Sequence, residues 1–164
     1  MSALAPTPAW QGLQLQGMTE AWLEPVALLE RQAYTHPWSH GNFSDSLRAG
    51  YHAWVLVEGQ ELIGYLVIML SPGEAHLLNI TIAPPRQGQG LGLHLLQQGV
   101  TWARLQGAQT LWLEVRVSNA RARSIYERYG FKTTGLRRNY YPLAAFKRED
   151  AIVMSLPLQA GQPL

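Results

Sequence analysis

Ile80-Thr-Ile-Ala-Pro-Pro-Arg-Gln-Gly-Gln-Gly-Leu-Gly92 is the stretch on which the fold turns. An extended run ends at Ile82, Pro84 and Pro85 close it, and Gln87-x-x-Gly90-x-Gly92 opens a leucine-rich helix. First-turn amides of a helix have no partners inside the helix and point outward. The helix dipole adds partial positive charge there. Glycines remove the side chains that would block close approach, so a pyrophosphate fits against bare backbone, and Arg86 stands ready to add a charged contact. A plain tight turn does not need glycines at 88, 90 and 92, so an anionic ligand is the better reading. A dinucleotide fingerprint would need glycine where Leu93 stands, and an NTPase loop would need Gly-Lys-Ser/Thr, which is missing.

Working outward, the helix runs from about Gly90 to Gln106, with Leu91, Leu95, Leu96, Val100, Ala103 and Leu105 as its apolar surface, and Gly107 ends it. Upstream, Tyr51–Val57 and Leu62–Leu70 read as a hairpin about Glu58–Glu61, and Ala75–Ile82 as a third extended run. Earlier still, Leu13–Gly17 alternates like a short strand. Thr19 is placed to cap a helix from about Glu20 to Tyr34 that presents Trp22, Val26, Leu29 and Ala33 on one face. Thr35-His-Pro-Trp38 breaks that helix, and Ser39 caps a second one through about Arg48. Downstream, Thr110–Val117 is a strand, Ser118-Asn119 caps a helix to Tyr129, and Phe131–Tyr140 and Ala151–Leu156 are the final strands. This order predicts one α/β domain over residues 1–164, built on a mixed sheet, with loose ends at about 1–12 and 157–164.

Composition narrows the class. Hydrophobic residues make up 47% of the 164 and charged residues 15%, which is a globular balance. Without cysteine there are no disulfides, thiol nucleophiles or thiolate metal sites. The histidines at 36, 40, 52, 76 and 94 have no metal-ligand spacing, so no metal is expected, and no Gly-x-Ser-x-Gly elbow accompanies them. A net charge of +2 is not the footprint of a nucleic-acid reader, though it suits an anionic ligand or a ribosomal neighbourhood. No apolar run has membrane-spanning length and Met1–Trp10 does not read as a signal peptide, so a cytoplasmic protein is the expectation; a monomer is expected as well.

Together, the strand, Ile82-x-Pro84, Gln87-x-x-Gly90-x-Gly92 and the leucine-rich helix resemble the acetyl-CoA motif of the GNAT superfamily, and the element order matches that fold across nearly the whole chain. The resemblance implies a central mixed, splayed sheet flanked by helices, and acetyl-CoA as co-substrate. It implies that Ile80, Thr81 and Ile82 pair with the pantetheine arm. Gln87, Gly88, Gln89, Gly90, Leu91, Gly92 and Leu93 would cradle the pyrophosphate. Further stretches are similar to the bacterial ribosomal-protein-alanine N-acetyltransferases within that superfamily: His36-Pro-Trp-Ser39, Leu111-Trp-Leu-Glu-Val-Arg-Val-Ser-Asn119, Tyr126-Glu-Arg-Tyr-Gly-Phe131, Arg137-Arg-Asn-Tyr-Tyr-Pro142 and Glu149-Asp-Ala151. That likeness implies an acceptor at the N-terminal alanine of the eighteenth small-subunit ribosomal protein. Pro85, His94 and a long loop at Leu143–Arg148 depart from the pattern, and bear on acceptor choice more than on chemistry.

Acetyl transfer to an amine needs a neutral nitrogen, a stabilised oxyanion and a proton for the departing thiolate. An N-terminal amine, with a pKa of about 8 against about 10.4 for lysine, costs roughly 3 kcal/mol less to deprotonate. By alternation Glu114 shares a face with Trp112 and Arg116, and an arginine pair with Arg116 or another arginine explains it about as well as catalysis does. The resemblance makes Glu114 the base, acting through water. Tyr126 reads by pattern as a core tyrosine, and by resemblance as the proton donor. Asn119 is a helix cap by pattern and an acetyl-CoA contact by resemblance. Arg138, Tyr140 and Tyr141 are candidate walls of a groove for the acceptor peptide, or an exposed basic strand end. Trp38 is either a wall of that groove or a buried anchor. Glu149 and Asp150 are expected partners for Arg137 and Arg138. Two rivals remain: the same fold acting on a lysine side chain or small-molecule amine, and a non-catalytic acyl-CoA-binding module that docks on the ribosome.

Overall fold

The computed structural model describes residue 8 and residues 10–158. Its elements are β1 (Gln14–Gly17), α1 (Leu23–Ala33), α2 (His40–Arg48), β2 (His52–Glu58), β3 (Glu61–Ser71), β4 (Glu74–Ile82), α3 (Leu91–Leu105), β5 (Thr110–Arg116), α4 (Ala120–Tyr129), β6 (Lys132–Ala144) and β7 (Lys147–Pro157). Seven strands form one sheet in the order β1-β2-β3-β4-β5-β7-β6. Every neighbouring pair is antiparallel except β4 with β5, which run parallel. The expected mixed sheet is therefore present.

Both faces of the sheet centre are covered, so β3 reads as a continuous apolar run rather than an alternating one. Val55, Tyr65 and Val67 face α1 and α2, where they meet Val26, Leu29 and Phe43. Leu56, Leu66 and Ile68 face α3, packing with Leu95, Leu96 and Val100. Ser39 caps α2 through a reciprocal bond: its hydroxyl accepts from the Asn42 N–H at 3.0 Å and its own N–H donates to Asn42 Oδ1 at 2.9 Å. The expected cap at Thr19 does not form. A 3₁₀ turn over Glu20–Trp22 intervenes, α1 starts at Leu23, and Pro25 sits in the first turn, where no N–H is needed. Gly64 is the point of closest backbone approach, because a Cβ there would lie 2.5 Å from the Thr81 carbonyl oxygen.

The last two strands differ from expectation. β6 and β7 reach Ala144 and Lys147, so the stretch expected to be a long loop is mostly a hairpin. Alternation failed to reveal this because Arg138, Asn139 and Tyr140 bulge between the pairs Arg137–Ala151 and Tyr141–Glu149. The loose tail does not begin at 157. Pro157 pairs with Thr110, and the N–H of buried Leu158 donates to Gln109 O at 2.7 Å. The rest of that tail, and most of the expected loose start, lie outside the described residues.

One irregularity positions the site. β4 pairs with β5 only from Glu74–Thr110 to Leu77–Leu113. On the other side of β4, Val67 pairs with Asn79 and Ile68 with Leu77, leaving Leu78 as an extra, bulged residue. A bulge bends its strand and sharpens its twist. The bulge coincides with the end of β4–β5 pairing, and beyond it Leu78–Ile82 has no partner on the β5 side. The sheet splays there, leaving backbone groups of β4 without ladder partners in a wedge.

Candidate active site

The glycine turn sits at the end of the β4 edge. Gly88 (φ +80°) and Gly90 (φ +83°) both take left-handed backbone, which a side chain would strain, and a Cβ on either would meet no protein atom within 4 Å. The turn is therefore open above its backbone. Gln87 braces it, its Nε2 donating to Ile82 O at 3.0 Å. Arg86 turns away to Glu58 at 3.5 Å and does not line the wedge.

Two chambers occupy the wedge. The larger, about 1000 Å³, runs from Ile80, Thr81 and Ile82 past Gln87, Gly88 and Gly90 to Gly92 and Leu93, with α4 as its opposite wall. The smaller, about 360 Å³, is lined by Glu30, Trp38, Glu114, Arg116 and Tyr141 among others. Tyr34, Ile80, Asn119, Ala122 and Tyr126 belong to both, so the chambers meet at the splay. Ten of the expected ligand-contacting residues thus surround one space; Gln89 does not line it, and its side chain accepts from Arg86 at 3.5 Å instead.

Glu114 is almost fully covered, its side chain 7% exposed. It does not pair with Arg116. Oε2 is hydrogen-bonded to His76 Nε2, and Oε1 lies 3.3 Å from Arg137 Nη2. Arg116 instead binds Glu149 at 2.9 Å and Pro142 O at 2.8 Å. That pair corrects the expectation for Glu149, whose carboxyl is held below the usual carboxylate range chiefly by the Arg116 hydrogen bond. Asp150 binds the Asn139 N–H at 2.9 Å and so ties the bulge, not an arginine.

Tyr126 faces the junction edge-on to Phe131, with ring centroids 5.6 Å apart. Its hydroxyl has no hydrogen-bond partner among the described residues, and burial pushes its pKa well above the ordinary phenol value. Asn119 Oδ1 accepts from Ala122 N at 3.2 Å, so it caps α4 and also borders both chambers. Tyr141 lines the smaller chamber, beneath the Arg116 guanidinium at 4.5 Å. Trp38 lines it too and packs on Phe43. Arg138 and Tyr140 line neither chamber: the bulge turns them outward, and Tyr140 carries Arg137 on its ring at 5.3 Å.

Several residues of the site are not apparent from pattern. Glu30, 3% exposed, accepts from Tyr65 Oη, from Trp38 N at 3.2 Å and from Asn79 Nδ2 at 3.2 Å. Burial nevertheless raises its pKa against those bonds. Asn79 accepts from Thr81 Oγ1 at 2.8 Å, and Thr81 bonds Tyr34 Oη at 2.8 Å, which carries the network to the junction. His76 and Arg137 join the site only through strand pairing, which no local pattern announces. Among the described residues no cluster of three or more His, Cys, Asp or Glu side chains could hold a metal, and no helix is long and apolar enough to cross a membrane.

A splayed mixed sheet, an open glycine turn at the start of α3 and a buried carboxylate in the smaller of two joined chambers define an acyltransferase architecture, and the sequence agrees. Residues 20–131 match the acetyltransferase (GNAT) family, and the chain belongs to it. Within that family it is similar to ribosomal protein bS18-alanine N-acetyltransferases. It is 41% identical to that of Haemophilus influenzae over 127 residues, covering 77% of this chain and 86% of the relative. It is 39% identical to that of Escherichia coli K12 over 130 residues, covering 79% and 87%. The crystal structure of the ribosomal-protein-S18-alanine N-acetyltransferase from E. coli superposes with a TM-score of 0.83 at 36% identity, over 93% of this chain and 98% of that one.

Proposed function

We propose that the protein transfers acetyl from acetyl-CoA to a protein N-terminal α-amine, and that its acceptor is the N-terminal alanine of ribosomal protein bS18. The observation that carries this reading is the junction of the two chambers. An open-backbone anion cradle leads into one side, and a narrow chamber bearing Glu114 leads into the other. The kinship with the bS18-alanine enzymes supports the acceptor. The residues fit acetyl-CoA: a bare glycine turn suits the diphosphate, and the unpaired edge of β4 suits an amide-bearing arm.

Acetyl-CoA supplies the activated acetyl thioester. In this reading the larger chamber orients it along Ile80–Ile82, Gln87–Leu93 and Asn119, and the acceptor nitrogen attacks the acetyl carbon directly, with no acyl-enzyme. Glu114 takes the amine's proton through water, held between His76 and Arg137. Tyr126 gives its proton toward the departing sulfur; its raised pKa keeps that proton in place until the sulfur needs it. Trp38 and Tyr141 wall the acceptor chamber. The protein works as a monomer in the cytoplasm.

Incubation with isotope-labelled acetyl-CoA and a panel of peptides tests the reading, with the label located by mass spectrometry. The α-amine of an alanine-initiated bS18 peptide should be labelled, ahead of lysine side chains and polyamines. Preferential labelling of those other amines would replace the acceptor, and binding without transfer would leave an acyl-CoA-binding module.

A further inference from the structure

Arg121 and Arg128 are the charged side chains among the described residues that line the larger chamber, and no carboxylate lines it. They stand seven positions apart on α4, two turns, and share a face with Ile125. Neither is neutralised. The Arg121 side chain has no hydrogen bond or ion pair with the described residues, and Arg128 makes only a marginal Nε contact to Ser124 O at 3.5 Å. Arg86 and Arg116, by contrast, are each tied to a glutamate. Two unpaired guanidinium groups facing one chamber favour an anion between them.

That anion is not accounted for by the glycine turn, whose amides suit one diphosphate. Coenzyme A carries a separate phosphate on the 3′ oxygen of its ribose. We propose that Arg121 and Arg128 form the subsite for this 3′-phosphate and so set the preference for coenzyme A over simpler acyl thioesters. The proposal rests on the reading that the larger chamber holds acetyl-CoA. Its geometry is a cationic wall on α4 facing the neutral, backbone-lined wall of the turn, so that each wall takes one phosphate-bearing part of the same molecule. Guanidinium groups suit this task because they present planar pairs of donors to phosphate oxygens and remain charged at any working pH.

Calorimetry with coenzyme A and with 3′-dephospho-CoA separates the outcomes, using the wild type and the double variant Arg121→Ala/Arg128→Ala. Both side chains are exposed, so the variant should fold, and its melting curve checks this. The wild type should prefer coenzyme A by roughly ten- to a hundredfold, the size of one or two charge-assisted hydrogen bonds. The double variant should bind both ligands equally, at the wild-type affinity for the dephospho form. Equal wild-type affinity for the two ligands, or a preference that survives in the double variant, overturns the subsite while leaving the chamber's role intact. If the wild type binds neither ligand, the reading of the chamber fails and the subsite falls with it.

Discussion

Replacing Glu114 with Gln removes the proposed base and little else. The glutamine side chain keeps the volume, and its amide oxygen can still accept from Arg137 or His76, so the loss in stability should stay near 1 kcal/mol. Acetyl-CoA affinity should not change, because Glu114 lines the smaller chamber and not the larger. The magnitude on turnover follows from the amine. With a pKa of about 8, roughly a tenth of an N-terminal amine is neutral at pH 7. An enzyme without a base depends on that fraction, which accounts for about a tenfold loss. Losing proton transfer in the transition state brings the total to about a hundredfold in kcat/KM. Between pH 7 and 9 the amine deprotonates unaided, so the gap should narrow toward about tenfold. Stopped assays of coenzyme A release, with calorimetry as the binding control, measure both quantities. A Glu114→Gln enzyme within threefold of wild type at pH 7, or a gap that ignores pH, refutes the assignment.

Tyr126→Phe should lower kcat about a hundredfold while acetyl-CoA binding persists, as measured by steady-state kinetics and calorimetry. Because burial raises the Tyr126 pKa, its loss of a proton should not produce an alkaline limb below about pH 10 in the wild-type rate profile. Gly90→Ala should weaken coenzyme A binding by about 1 kcal/mol or more in calorimetry, since a side chain at φ +83° strains the turn and crowds its amides. Gly64→Ala should cost about 1–3 kcal/mol in denaturant melts, because its Cβ would meet the Thr81 carbonyl, which cannot swing aside as a side chain can. Glu149 has a lowered pKa, so the stability it contributes is present above the unfolded carboxylate value and lost as pH falls through the folded one. Melting temperatures of wild type and Glu149→Gln should therefore differ at pH 7 and converge in acid.

Local signals in the chain proved readable where the chemistry was local. The glycine turn, the Ser39 cap and the apolar face of α3 each depend on residues within a turn of one another, and each forms as its pattern implies, except that Leu105, at the last position of α3, is exposed rather than part of the apolar face. What escaped pattern depends on distant strands. The Leu78 bulge exists only relative to Val67 and Ile68, so nothing in β4 alone announces the wedge. Glu114 and Arg116 alternate onto one face, yet Glu114 bonds to His76 on β4, the neighbour of β5 on one side, and to Arg137 on β6, which lies beyond β7 on the other. Glu30 reads as an ordinary helical carboxylate until Tyr65, Asn79 and the Trp38 N–H are seen to enclose it. The outward turn of Arg138 and Tyr140 comes from a bulge whose ties, Asp150 and Arg148, lie on the other strand.

Hydrogen exchange with and without coenzyme A probes the wedge itself. The amides of the 78–82 and 88–93 stretches should slow markedly on binding, with α4 following around 119–126, while β1, β2 and the β6–β7 hairpin tip remain as they were. Unchanged exchange along 78–82 and 88–93 in saturating coenzyme A would contradict the account.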